Sequence, residues 1–144
     1  MSEALNLCRE YFQGIQVEAS QVDAHSLVVP VQIRDHLLQG LLTLRPESGW
    51  MVLYVTTSVQ VPDHRRTAVG EFLGRVNYLL PIGNFEMDWE DGEVRFRIGT
   101  ALESQPNPAP LVEAASFMAD RYFPALFKVA LEGYSPLRAL AEIA

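Results

Sequence analysis

The chain has 144 residues, a formal net charge of −7 and 49% hydrophobic residues. A fold of this length buries about 68 to 70 per cent of its unfolded surface, so a single domain spanning 1–144 with one core is expected. The acidic balance, with a pI of about 4.9, excludes a general electrostatic footprint for nucleic acid, and no nucleic-acid partner is expected.

Cys8 is the one cysteine. An internal disulfide is therefore excluded, and a reducing, cytoplasmic setting is the natural inference. No apolar run reaches the roughly 18 residues that a membrane span needs. The opening MSEALNLCRE also lacks a basic start followed by an apolar block, so no membrane association is expected.

In chain order, Ala4, Leu5, Cys8, Tyr11, Phe12 and Ile15 recur at helical spacing, with Ser2 as a cap and Gly14 near the end. Cys8 falls on the apolar face, where a small packed side chain is expected rather than a nucleophile. A short strand near Val17 follows, then apolar and β-branched segments over 27–34, 37–44 and 50–58, punctuated by Asp35-His36 and by Pro46 to Gly49. These read as an antiparallel meander. Pro30 makes its strand an edge or a bulged strand, because proline cannot donate to a ladder.

After Pro62 the period becomes helical. Asp63 is the expected N-cap, and Val69, Phe72, Leu73, Val76, Leu79 and Leu80 form an apolar stripe that Pro81 ends. The cluster His64-Arg65-Arg66 reads as a solvated helix start. Gly70 and Gly74 interrupt the other flank at a cost of up to about 1 kcal/mol each, which suggests close approach of another backbone.

The run VNYLLPIGNFEMDWEDGEVRFRI then contains a β-hairpin. A two-residue turn at Asp91-Gly92 pairs Trp89 with Val94, Asp88 with Arg95, Met87 with Phe96, Glu86 with Arg97 and Phe85 with Ile98. One face collects the apolar groups and the other carboxylates and guanidinium groups. The acidic residues Glu86, Asp88, Glu90 and Asp91 accordingly read as solvated cladding, without an EF-hand pattern. Pro110 opens a last long helix carrying Leu111, Ala115, Met118, Tyr122, Leu126 and Val129 on one face. Phe117, Phe127 and Leu131 widen that stripe, and Pro124 is expected to kink or split the helix. Gly133 ends it, and Ser135-Pro136 caps a final turn.

His25, His36 and His64 lack metal-ligand spacing, and no nucleophile elbow, phosphate loop or dinucleotide motif is present. No catalytic residue, cofactor or metal is expected. The segment VPDHRRTAVGEFLGRVNYLLPIGNFEMDWEDGEVRFRIG, with ADRYFPALFKVALEGYSPLRALAEI, closely resembles the YbjN-type bacterial domain of sensory transduction regulators. The resemblance covers about the last 80 residues; the first 60 agree in their order of elements. It departs at Gly74, where a larger polar residue is usual.

That resemblance implies an α+β fold similar to type III secretion chaperones. The expected order is α-β-β-β-α-β-β-α, with an antiparallel sheet of about five strands packed against helices. It also implies a non-enzymatic protein-interaction domain, chaperone-like or regulatory, that forms a homodimer and binds an unidentified partner protein on sheet and helix surfaces. Arg66, Gly70, Gly74, Asn77 and Tyr78 are the expected partner or dimer interface. Two other readings remain open at this level. One is a small-ligand sensor or enzyme with a pocket lined by Trp50, Tyr54, Tyr78 or Tyr122, and the other is a structural subunit of a larger assembly.

Overall fold

The Ser2 hydroxyl accepts from the Leu5 N–H at 3.1 Å, and this cap starts α1 (Glu3–Gly14) in the computed structural model, which describes residues 2–143. Leu5, Cys8 and Phe12 bury the predicted face. Burial pushes the Cys8 thiol up to about 11, as an apolar setting does to a group that ionises to an anion.

Six strands follow: β1 (Ser20–Asp23), β2 (Ser26–Ile33), β3 (His36–Arg45), β4 (Trp50–Gln60), β5 (Asn84–Met87) and β6 (Glu93–Ala101). Helix α2 (Arg66–Leu79) separates β4 from β5, and α3 (Ala109–Leu131) and α4 (Pro136–Ala141) close the chain. The sheet is antiparallel throughout, in the order β1-β2-β3-β4-β6-β5. The α+β class and the order of elements agree with expectation, but the sheet has six strands rather than five. The additional strand is β1, which corresponds to the short strand expected near Val17 but lies further along at Ser20–Asp23; all four of its residues are exposed, so no alternation of buried and open positions marks its place.

Pro30 lies where β2 runs past its neighbour. Strand β1 pairs with Ser26, Leu27 and Val28 only, which leaves β2 an edge at Pro30, where a missing donor costs nothing.

The hairpin keeps its predicted faces and changes its register. Phe85 pairs with Phe96, Glu86 with Arg95 and Met87 with Val94, a slide of two residues from the expected pairing. A slide of one inverts the faces, whereas a slide of two preserves them, so the apolar pattern does not choose between these registers. Turn chemistry makes the choice. The Asp88 carboxylate accepts from the Glu90 N–H at 2.9 Å and the Asp91 carboxylate from the Glu93 N–H at 2.8 Å. These bonds curl the segment into a wider loop closed by the Gly92 N–H on the Asp88 carbonyl. Trp89 leaves the strand, and its ring edge lies over Gly70, where a Cβ would sit 2.5 Å from it.

Two arginines clamp this region. The Arg66 guanidinium donates to the carbonyls of Val61 (3.1 Å), Trp89 (3.3 Å) and Glu90 (3.1 Å). Arg65 donates to the carbonyls of Val129 (2.9 Å) and Tyr134 (2.7 Å), satisfying backbone at the end of α3. The expected solvated helix start is thus a pair of internal cross-links. Asp63 makes no capping bond; it opens a 3₁₀ turn, Asp63–Arg65, and meets Arg66 at 3.2 Å.

Asn77 closes the other sheet edge. Its Nδ2 donates to the Phe85 carbonyl at 2.9 Å, while its Oδ1 accepts from the Phe85 N–H at 2.8 Å. The side chain stands in for a neighbouring strand. Phe85 in turn packs its ring against Phe96, Tyr122 and Phe123, at centroid distances of 4.9, 5.7 and 5.3 Å. These contacts tie the hairpin to α3, which runs unbroken through Pro124.

All helices cover one face of the sheet. Leu27 and Val29 of β2, Leu42 and Leu44 of β3, Met51, Leu53 and Val55 of β4, and Val94, Phe96 and Ile98 of β6 point into this core. Leu79 at the end of α2, and Phe117 and Leu131 on α3, lie outside it as exposed groups. Asn77→Ala strips both partners from the Phe85 backbone, so a loss of about 1–3 kcal/mol in urea unfolding is expected. Tyr78→Ala, one residue away on an exposed surface, is expected to shift stability by less than about 0.5 kcal/mol. Equal losses for the two variants would contradict the edge-cap role.

Candidate functional site

Strand alternation divides β3 between two faces: Leu38, Leu42 and Leu44 turn inward, and Leu37, Gln39, Leu41, Thr43 and Arg45 turn outward. With every helix on the inner side, the outward groups form an open sheet face. The pairings assemble it into rungs. Val28, Leu41, Tyr54, Arg97 and Asn84 lie across five strands in one rung, and Pro30, Gln39, Thr56, Arg95 and Glu86 in a second. A third runs Ser26, Thr43, Val52 and Gly99, with the Ser26 and Thr43 hydroxyls 2.8 Å apart.

Tyr54 is the centre of this face and is only 8% exposed. Arg95 lies over its ring at 4.2 Å, and Arg45 donates to its hydroxyl at 3.0 Å. Glu86 fixes two guanidinium groups at once, meeting Arg95 at 2.6 Å and Arg97 at 3.2 Å. Such partly exposed pairs add about 0–1 kcal/mol each to stability. Their consequence is positional, because they hold the planar forks in place. Shallow grooves lie on either side of Tyr54. One, of about 560 Å³, is walled by Arg45, Trp50, Val52, Asn84 and Arg97; the other, of about 610 Å³, is walled by Leu37, Gln39, Leu41, Thr56 and Arg95.

From sequence, only the hairpin's share of this face is legible, as solvated cladding; its extension over β3 and β4 is not. Leu41, Val52 and Tyr54 make β3 and β4 apolar at both parities, which reads as a buried run rather than a half-open sheet. The available signal was the shared parity of Arg95 and Arg97 with Glu86, continued across the sheet to Arg45.

The five residues expected at an interface separate into two groups. Arg66 and Asn77 are engaged by backbone within the chain, and Gly70 accommodates the Trp89 ring rather than another backbone. Gly74 has open space around it, and Tyr78 is 90% exposed. Of the four candidate pocket aromatics, Trp50 and Tyr54 line one groove of the open face, whereas Tyr122 is buried against Phe85 and Tyr78 projects from α2.

Asp120 pairs with Arg34 at 2.9 Å near the surface. His36 packs its ring against Phe127, with centroids 5.5 Å apart. Among the described residues, no group of three or more His, Cys, Asp or Glu side chains is placed to hold a metal ion. Hydrogen bonds from the His25 N–H and the Ser26 hydroxyl hold the Asp23 carboxyl below its usual range, in the turn between β1 and β2. None of the described helices is long and apolar enough to cross a membrane.

Comparison with curated proteins finds no match. The model of the YbjN family, described as "Putative bacterial sensory transduction regulator", matches residues 6–128. It takes in all six strands and stops within α3, so it reaches further toward the start of the chain than the resemblance in the hairpin region alone. The match covers most of the 144 residues, and the chain therefore belongs to the YbjN family.

Proposed function

We propose that this chain is a non-enzymatic regulatory domain that holds an extended segment of a partner protein against its open sheet face, in a chaperone-like manner. The observation that carries the reading is the contrast between that face and the sheet's edges. Asn77 occupies the β5 edge, while a four-residue exposed strand and Pro30 blunt the opposite one, so strand addition is disfavoured at both. The face between them presents apolar Leu41, Val52 and Trp50 among fixed polar groups. A cytoplasmic setting fits the lone buried thiol.

Homodimerisation belongs to the same reading and uses the outer side of α2. Tyr78, Leu79 and Ile82 are exposed together at its end, and the open space at Gly74 lies one turn before Tyr78. An isologous pairing lets each Tyr78 ring cover the partner's bare helix surface.

Affinity purification from the native cell tests partner binding. The unaltered chain should retain a stoichiometric protein that Val52→Glu loses and Tyr78→Glu keeps; a partner held equally by Val52→Glu would remove the open face from the account. Light scattering after size exclusion tests the dimer. Twice 16.1 kDa is expected, falling to the single mass in Tyr78→Glu, whereas a monomer across a wide concentration range would rule the dimer out.

A further inference from the structure

We infer that the groove walled by Arg45, Trp50 and Arg97 selects an acidic, extended peptide, one whose carboxylate enters between the two guanidinium groups while a neighbouring apolar side chain rests on Trp50. This deepens the open-face reading and rests on it.

The charge distribution supplies the argument. The chain is net −7, yet no carboxylate among the described residues lines this groove. Among the described residues Arg45 has no carboxylate partner; its bond goes to the Tyr54 hydroxyl. A guanidinium carries five N–H donors in a planar fork, so that one bond leaves Arg45 most of its donor capacity. Arg97 is half-exposed, and Glu86 holds it through a single oxygen at 3.2 Å. Both forks are thus set before a ligand arrives, which lowers the entropy cost of binding.

A carboxylate takes such forks through charge-assisted bonds that a neutral amide does not match. Trp50 is 50% exposed at the mouth of the groove, where its indole offers an apolar platform beside the two guanidinium groups. A nucleic-acid strand presents phosphates too, but its continuous charge meets the repulsion of the whole acidic chain, whereas a short peptide with one or two carboxylates meets mainly the local field. Glu93 lines the second groove, on the far side of Tyr54, and so further favours the Arg45 side for an anion.

The test uses the full chain and a fluorophore-labelled peptide of about a dozen residues carrying Glu and Leu among Ser and Gly. Its twin has Gln in place of Glu. The Glu peptide should bind at least about tenfold more tightly than the twin, and the difference should shrink as salt is raised. Arg45→Gln should abolish the preference while keeping a cooperative melt within a few degrees of the unaltered chain's, and Arg45→Lys, which keeps the charge but not the fork, should retain part of the preference.

Equal binding of the two peptides would overturn acid selection while leaving peptide binding in place. Failure of both peptides to bind at high micromolar concentration would overturn the open-face reading as well. Displacement of the Glu peptide by single-stranded DNA at lower concentration than by unlabelled peptide would assign the groove to a different anion. A change in sedimentation in Arg45→Gln, with peptide binding intact, would assign it to a second copy of this chain.

Discussion

The hydrogen-bonded pair between the Asn77 amide and the backbone of Phe85 is the contact on which the rest of the architecture depends. It joins α2 to the outermost strand, so the helix cannot shift without exposing two backbone groups. It also places the Phe85 ring among Phe96, Tyr122 and Phe123, which locks the hairpin onto α3. Removing the strand edge from solvent and anchoring α2 and α3 to one side of the sheet are two outcomes of the same few atoms. What stays accessible is a face.

That face is organised by its charges more than by its apolar content. Glu86 is shared between Arg95 and Arg97, Arg95 covers Tyr54, and Tyr54 receives Arg45. Each link is weak in water, but together they prevent long side chains from collapsing onto one another or sampling many rotamers. The acidic residues of the hairpin loop are used differently. Asp88 and Asp91 bind backbone N–H groups and shape the turn, so one acidic run divides into a carboxylate that positions arginines and carboxylates that set chain direction.

Much of this was legible in the sequence wherever a local rule acts alone. Ser2, Pro110, Gly133 and Ser135 mark helix ends because caps and breakers work over a few residues. The apolar face of the hairpin follows from period-two alternation. Legibility failed where a distant group decided the outcome. The hairpin register turned on Asx turns and on Arg66 reaching carbonyls more than twenty residues away. Gly70 answers to Trp89, and Arg65 to the end of α3, through contacts that no spacing rule encodes. Strand β1 reads too early in the sequence, near Val17, because exposed residues on both sides leave no periodicity to fix its position, and the open face beyond the hairpin was hidden because its centre is as apolar as the core.

The central claim is that ligands meet this domain on the uncovered sheet surface and not along its edges or on α2. Backbone amide chemical shifts of the isotopically labelled chain, followed as the acidic peptide is added, test it most directly. The account predicts perturbations centred on Thr43, Val52, Tyr54 and Arg97, with Asn77 and Phe85 unmoved. Perturbations confined to Ser20–Asp23, or to the stretch from Gly74 to Tyr78, would contradict it.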